Sequence, residues 1–313
     1  MKSRNFSTQL IKKSCGLLLG ILTPAAAHAC ACGCGVFDVA TSYMLPSGAG
    51  GMFWEQYDYQ DQDRNWHGMG VASPLDNGDQ EIETHFTTFG FQYMFNRSWG
   101  VEAELPYDFR YFRGTLDDGS IASHHWSTFG DVRLQGIYTG FSPDMSTGLT
   151  LGMKLPTGGF HVDTALVDRD TQIGTGSTDL LLGGFHRGRF GVGTKWEWFA
   201  QFEADLPAAI QEGYRPGVEF DAAAGVDYTG FKWGRARIVP VAQVLYSERT
   251  SDNGPAANSD NTGYERILLS PGLEVNLHPV HVYADVELPV FQNFTGNQLA
   301  SSILFKFAVS YMF

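Results

Sequence analysis

Phe305-Lys306-Phe307-Ala308-Val309-Ser310-Tyr311-Met312-Phe313 alternates without a break. Phe305, Phe307, Val309, Tyr311 and Phe313 share one face, and Lys306, Ala308, Ser310 and Met312 share the other. Period-two alternation marks a β-strand whose two faces meet different surroundings. Here one face is wholly apolar and mostly aromatic. The run also stops in mid-strand on a bulky apolar side chain, which a strand inside a soluble sandwich has no reason to do.

The same pattern recurs upstream. Val280, Val282, Ala284, Val286, Leu288 and Val290 oppose His281, Tyr283, Asp285 and Glu287. Trp99, Val101, Ala103, Leu105, Tyr107 and Phe109 oppose Glu102, Glu104, Asp108 and Arg110. Strands are expected over 51–60, 82–95, 98–111, 128–140, 146–157, 176–186, 191–206, 217–229, 233–247, 265–277, 279–290 and 299–313. The first is the least regular, because Glu55 interrupts its apolar face. Several runs exceed the usual five or six residues of a soluble strand. Their apolar faces start or end on Trp, Tyr or Phe, as the aromatic girdles of a membrane barrel require.

Nowhere do 18 consecutive apolar residues occur, so no transmembrane helix is expected. In lipid, only helices and closed barrels satisfy every backbone polar group. The fold class is therefore all-β: a transmembrane, antiparallel, up-and-down β-barrel of about 12 strands. The connections agree. Asn96-Arg97, Ser142-Pro143-Asp144, Arg187-Gly188-Arg189, Gly230-Phe231-Lys232 and His278-Pro279 are tight turns. The alternate connections, about 61–81, 112–127, 158–175, 207–216, 248–264 and 291–298, are longer. Short periplasmic turns alternating with longer outer loops are the rule for such barrels, and an even strand number leaves both termini periplasmic.

A charge on lipid at mid-depth costs about 2–4 kcal/mol for Arg or Lys, so the charged faces are assigned inward. The expected acidic lining is Glu102, Glu104, Asp108, Asp131, Asp179, Glu197, Glu203, Asp205, Glu219, Asp221, Asp227, Glu274, Asp285 and Glu287. The expected basic lining is Arg110, Arg133, Lys154, Lys195, Arg235, Arg237 and Lys306. Asp58 is grouped instead with Asp61-Gln62-Asp63-Arg64-Asn65 in an acidic outer loop. That loop begins like an EF-hand, but Trp66 stands where Gly is needed and Ala72 where Glu is needed. No Gly-x-Ser-x-Gly elbow is present, and no enzyme is expected.

The N-terminus reads as a secretory signal over 1–29. Lys2, Arg4, Lys12 and Lys13 precede a short apolar core, and Ala27-His28-Ala29 offers small residues for cleavage. The remaining chain would hold 313 − 29 = 284 residues and carry 17 Lys and Arg against 34 Asp and Glu, a net charge of −17. That sign argues against nucleic acid or anionic lipid as a partner. A periplasmic segment, 30–49, would then lead into the barrel, 50–313. It holds Cys30, Cys32 and Cys34, whose spacing suits a soft metal ion, with His278 and His281 placed at the same end. A disulfide, an inert tail and acylation at Cys30 are the other readings of these cysteines. No other cofactor is expected.

The ending at Phe313 resembles the terminal strand of bacterial outer-membrane barrels. The resemblance implies that Tyr311 and Phe313 belong to the signal read by the barrel-insertion machinery. Three further stretches carry a wider resemblance: Gly130-Asp131-Val132-Arg133-Leu134, Gly152-Met153-Lys154-Leu155-Pro156-Thr157-Gly158, and Gly174-Thr175-Gly176-Ser177-Thr178-Asp179-Leu180-Leu181-Leu182. They resemble the outer-membrane transporter family of the meta-pathway phenol-degradation type, over about 50–313. Membership would imply a Gram-negative, porin-like barrel with outer-membrane lipid around it and a small-molecule solute as cargo. The expected function is passage of small solutes through an acidic lumen. The alternative is a non-conducting structural or metal-binding outer-membrane protein that works through its cysteine segment.

Overall fold

The computed structural model describes residues 44–162 and 164–313. The signal peptide and Cys30, Cys32 and Cys34 lie outside the described residues. The strands are β1 (Gly50–Gly68), β2 (Gly70–Val71), β3 (Asp79–Met94), β4 (Trp99–Thr115), β5 (Ile121–Phe129), β6 (Val132–Tyr138) and β7 (Thr147–Leu155). They continue as β8 (Thr178–Arg189), β9 (Trp196–Ala209), β10 (Glu219–Tyr228), β11 (Phe231–Trp233), β12 (Ala236–Arg249), β13 (Tyr264–Leu277) and β14 (Val280–Met312).

Their pairing closes a ring: β1, β3, β4, β6, β7, β8, β9, β10, β12, β13, β14 and back to β1, with β2, β5 and β11 off the path. Every pair is antiparallel. A ring of strictly alternating directions needs an even number of members, and this path has eleven elements. The 33-residue β14 resolves the count. Residues 280–294 pair with β13, residues 297–312 pair with β1, and Met312 N donates to Pro279 O across 2.9 Å. The strand therefore doubles back at Thr295-Gly296, where Gly296 takes φ 67°, a conformation a side chain would strain. The wall is crossed twelve times.

Burial alternates along each crossing. In β14, His281, Tyr283, Asp285 and Glu287 are buried, while Ala284 and Leu288 are exposed. The exposed side carries Phe89, Leu105, Leu151, Met153, Phe305 and Phe307 among many others. An apolar exterior of that extent far exceeds what soluble monomers expose, and lipid is the solvent that suits it. Aromatic pairs bound the band. Phe53–Phe313, Trp99–Tyr138 and Trp196–Tyr228 lie at the rim carrying the termini, and Tyr107–Phe129 and Phe220–Tyr246 lie toward the other. From Trp99 to Phe109 the wall rises roughly 25 Å at the usual strand tilt.

The sequence reading is corrected at several loops, at one strand and at two side chains. β1 runs to Gly68 and β3 starts at Asp79, so much of the expected 61–81 loop is strand. Likewise β4 and β5 reduce the expected 112–127 loop to 116–120, and the 291–298 loop is the Thr295-Gly296 turn. Above the lipid both faces of a strand are wet, so apolar alternation fades while the ladder continues. The expected strand 128–140 is broken at Gly130-Asp131, opposite Pro106, which has no N–H to donate. Lys195 and Arg235, expected in the lumen, lie in turns outside the strands and are exposed. Glu55 sits within β1 on the exposed face with Phe53, so it does interrupt that strand's apolar face, as expected.

Candidate functional site

The lumen is built in layers. At the rim carrying the termini, a vestibule of about 630 Å³ is lined by Arg187, Arg189, Glu197, Asp227, Arg237 and Glu274, among others. His281 also lines it and is bonded to Glu274 at 2.9 Å, while His278 is exposed in its turn. Among the described residues no group of three or more His, Cys, Asp and Glu could hold a metal ion. The cysteines expected to complete such a site fall outside them.

Above the vestibule lies an apolar layer. Met94, Ile137, Phe185, Phe199, Val239 and Leu245 form one buried cluster, and Leu45 belongs to it. Residues 44–46, just before β1, are thus tucked into the barrel mouth. Arg187 Nη2 donates to Pro46 O at 2.7 Å, and Gln92 Nε2 donates to Met44 O at 3.3 Å. The sequence reading missed this layer, because placing charged faces inward cannot orient a strand such as β12 that is apolar on both faces.

The next layer is ionic. Arg133 faces Glu104 and Asp205 at 3.6 and 3.7 Å and bonds Glu203. Lys154 bridges Asp179 at 2.6 Å and Asp205 at 2.9 Å. Asp285 accepts from Tyr283, Ser270 and Gln243, and Lys306 stands 3.9 Å from Glu287. Asp221 is buried on β10, and Glu219 accepts from Tyr264 at 2.7 Å. Glu102 accepts from Gln92 at 2.7 Å. Asp58, assigned by sequence to an outer loop, is buried here beside Gln56 at 2.8 Å. The signal for it was the polar alternation Gln56, Asp58, Gln60, Gln62 opposite Phe53, Tyr57 and Tyr59.

The top layer is the connection 156–177, folded into the barrel. Asp131 holds both its ends: Oδ1 accepts from Gly158 N at 2.9 Å, and Oδ2 accepts from Thr175 N at 2.8 Å and Thr175 Oγ1 at 2.6 Å. The break at Gly130 turns Asp131 to this task, as bulges commonly re-aim side chains. Gly158 and Gly174 pack backbone to backbone; a Cβ on Gly174 would lie 2.4 Å from the Gly158 carbonyl carbon. Farther along, Arg110 Nη1 donates to Thr171 O at 2.6 Å. Val162, Leu166 and Val167 pack on Ile82, Phe112 and Leu299 across the mouth. Arg169 is stacked between Phe160 and Tyr214, 4.5 Å from each ring centre, and burial lowers its pKa. The three stretches quoted for the family resemblance therefore meet in space: Asp131 with Gly158 and Thr175, and Lys154 with Asp179.

Between the folded-in connection and the ionic layer remains a cavity of about 170 Å³. Asp58, Glu104, Asp108, Asp131, Asp205 and Glu219 line it, against Arg133, Lys154 and Arg249.

A closed antiparallel ring of this kind has counterparts among solved structures. An outer-membrane channel from Pseudomonas putida F1 superposes with a TM-score of 0.65 at 12% identity, covering 88% of this chain and 100% of the channel. The fold is that of an outer-membrane β-barrel. The β domain of the Bordetella autotransporter Brka follows with a TM-score of 0.51 at 12% identity, over 85% of this chain and 100% of that domain. At the level of sequence, no family model and no curated protein matches the chain. What the barrel shares with these structures is architecture.

Proposed function

We propose that the barrel is a passive outer-membrane channel for small solutes, with an acidic lumen and with both termini on the periplasmic side. The observation that carries this reading is the cavity between the two closures, where six carboxylates face three cations. A lining of that balance favours cations and neutral solutes over anions. The fold neighbour from Pseudomonas putida F1, itself an outer-membrane channel, supports the same class of function. The test is conductance in planar bilayers with a salt gradient across them. Discrete openings with a reversal potential of cation-selective sign are expected. A barrel that shows the heat-modifiable gel shift of a folded protein yet stays electrically silent would overturn the reading.

The occupied mouths favour one second reading, a non-conducting barrel. In that case the working part would be the cysteine segment, and metal analysis of the purified protein against a Cys30→Ser, Cys32→Ser, Cys34→Ser variant separates the two. Metal content that follows the cysteines supports this second reading.

A further inference from the structure

Lys195 and Arg235, the two cations that fall outside the lumen, share the rim that carries the chain termini, and Lys232 joins them. The turn 190–195 and the hairpin of β11 with the start of β12 are neighbours. Thr229 N donates to Lys195 O at 2.8 Å, and Trp196 packs on Tyr228 with ring centres 5.0 Å apart. The hairpin projects beyond the barrel wall, since the β10–β12 ladder ends at Asp227–Val241 while β11 pairs onward from Phe231–Ile238.

Lys195, Lys232 and Arg235 are all exposed, and among the described residues no carboxylate pairs with any of them. Arg189 nearby differs, being bonded to Glu197 at 2.9 Å. Apolar side chains are interleaved with these cations: Phe190, Val192, Phe231 and Trp233 are exposed, Trp233 at 79%. At the opposite rim the exposed Asp117, Asp118 and Asp260 lie in the connections, and Asp252 there is buried against Arg249 at 2.7 Å. A chain of net charge −13 thus gathers unpaired positive charge at one arc of one rim. The arc continues the lipid-facing girdle of Trp196 and Tyr228, so its neighbour is the bilayer surface.

We infer that this arc is a binding site for the anionic headgroup of a phospholipid in the leaflet at the termini side. The inference rests on the membrane-spanning reading above. Lys195, Lys232 and Arg235 offer charge and donors to the phosphodiester, while Phe190, Val192, Phe231 and Trp233 lie beside them at the headgroup layer. Trp and Tyr at headgroup level anchor the same edge.

The test uses detergent-purified barrel, native mass spectrometry, and phosphatidylglycerol and phosphatidylcholine offered at equal concentration. The wild-type barrel is expected to retain the anionic lipid in preference. Each cation changed to Gln is expected to lower that retention about fivefold, so Lys195→Gln, Lys232→Gln, Arg235→Gln together abolish the preference. Single Lys232→Gln gives the partial loss and guards against a triple variant that fails to fold. Inorganic phosphate at the same concentration is expected not to displace the lipid. Equal retention of the two lipids, an unchanged preference in the variants, or displacement by phosphate would each overturn the site. Failure of the membrane reading looks different: the wild-type protein would show no heat-modifiable barrel in detergent at all.

Discussion

Asp131 has the most consequential contacts of any single side chain described. It accepts three hydrogen bonds from the two ends of the 156–177 connection, so its carboxylate decides whether that connection stays inside the barrel. Hydrogen bonds to a charged acceptor contribute about 1.5–3 kcal/mol each, with losses softened where water replaces the partner. Asp131→Ala is therefore expected to destabilise the folded-in connection by about 2–4 kcal/mol. The measurement is limited proteolysis: cleavage within 156–177 should appear in the variant while the strands remain protected. Asp79 acts on the same connection by another route. It lies beyond the apolar band, and burial first, then Asp168 and Asp170, raise its pKa well above the ordinary carboxylate value. A carboxyl whose folded pKa exceeds its unfolded one keeps its proton in the folded state across the interval between them. Its contribution is fullest below the unfolded value, about pH 4, and declines as pH rises through that interval. Protection of 156–177 should thus be greater at pH 5 than at pH 7.5, and Asp79→Asn should reduce that difference.

At the scale of the element, the seam between β1 and β14 closes the ring. Gly51 N donates to Phe313 O at 2.8 Å and Phe313 N to Gly51 O at 2.9 Å. The Phe313 ring lies over Gly51, where a Cβ would sit 2.2 Å from it, and stacks on Phe53 at 5.2 Å. Phe313→Ala keeps the backbone bonds and removes the ring, so a loss of about 1–2 kcal/mol is expected. It would be read as a lower temperature for the heat-modifiable gel shift; an unchanged transition would show that the ring does nothing for closure. The strands themselves were legible wherever lipid enforces the pattern. Phe305 to Phe313 and Val280 to Leu288 declare their faces because one face must be greasy. Legibility failed where that constraint lapses. Above the membrane, β1 and β3 run on through Asp61 to Gly68 and from Asp79 with no greasy face to mark them. In β12, Val239, Val241 and Leu245 face inward opposite Ile238, Ala242 and Val244, and two apolar faces cannot be told apart by composition. Lys195 and Arg235 were misplaced because the expected strands began at 191 and 233 rather than at Trp196 and Ala236, which carried turn residues into the lumen. The ionic layer was half legible: its members follow from strand phase, but the partnership of Asp131 with Gly158 and Thr175 depends on a connection that folds back on itself.

For the whole molecule, the decisive property is that its two closures lie in series. One is the 156–177 connection, clamped by Asp131 and Arg110; the other is the segment 44–46, held by Arg187 and Gln92 over the apolar layer. Ions crossing the barrel must pass both, so their resistances add, and the larger one sets the current. Opening either closure alone leaves the other in the path and should raise conductance little. Opening both should raise it by more than the two single increments together. Asp131→Ala with Arg110→Ala loosens the first closure; Leu45→Ser with Arg187→Ala loosens the second by removing an apolar plug and the donor that holds Pro46 O. Planar-bilayer recordings of the two pairs and of the quadruple variant check this directly. Additive increments would mean that the closures sit on parallel paths, and a full opening from the second pair alone would mean that the folded-in connection leaves room for ions. Either result would contradict the layered lumen, because a single passage walled by twelve antiparallel crossings leaves ions no way around either obstruction.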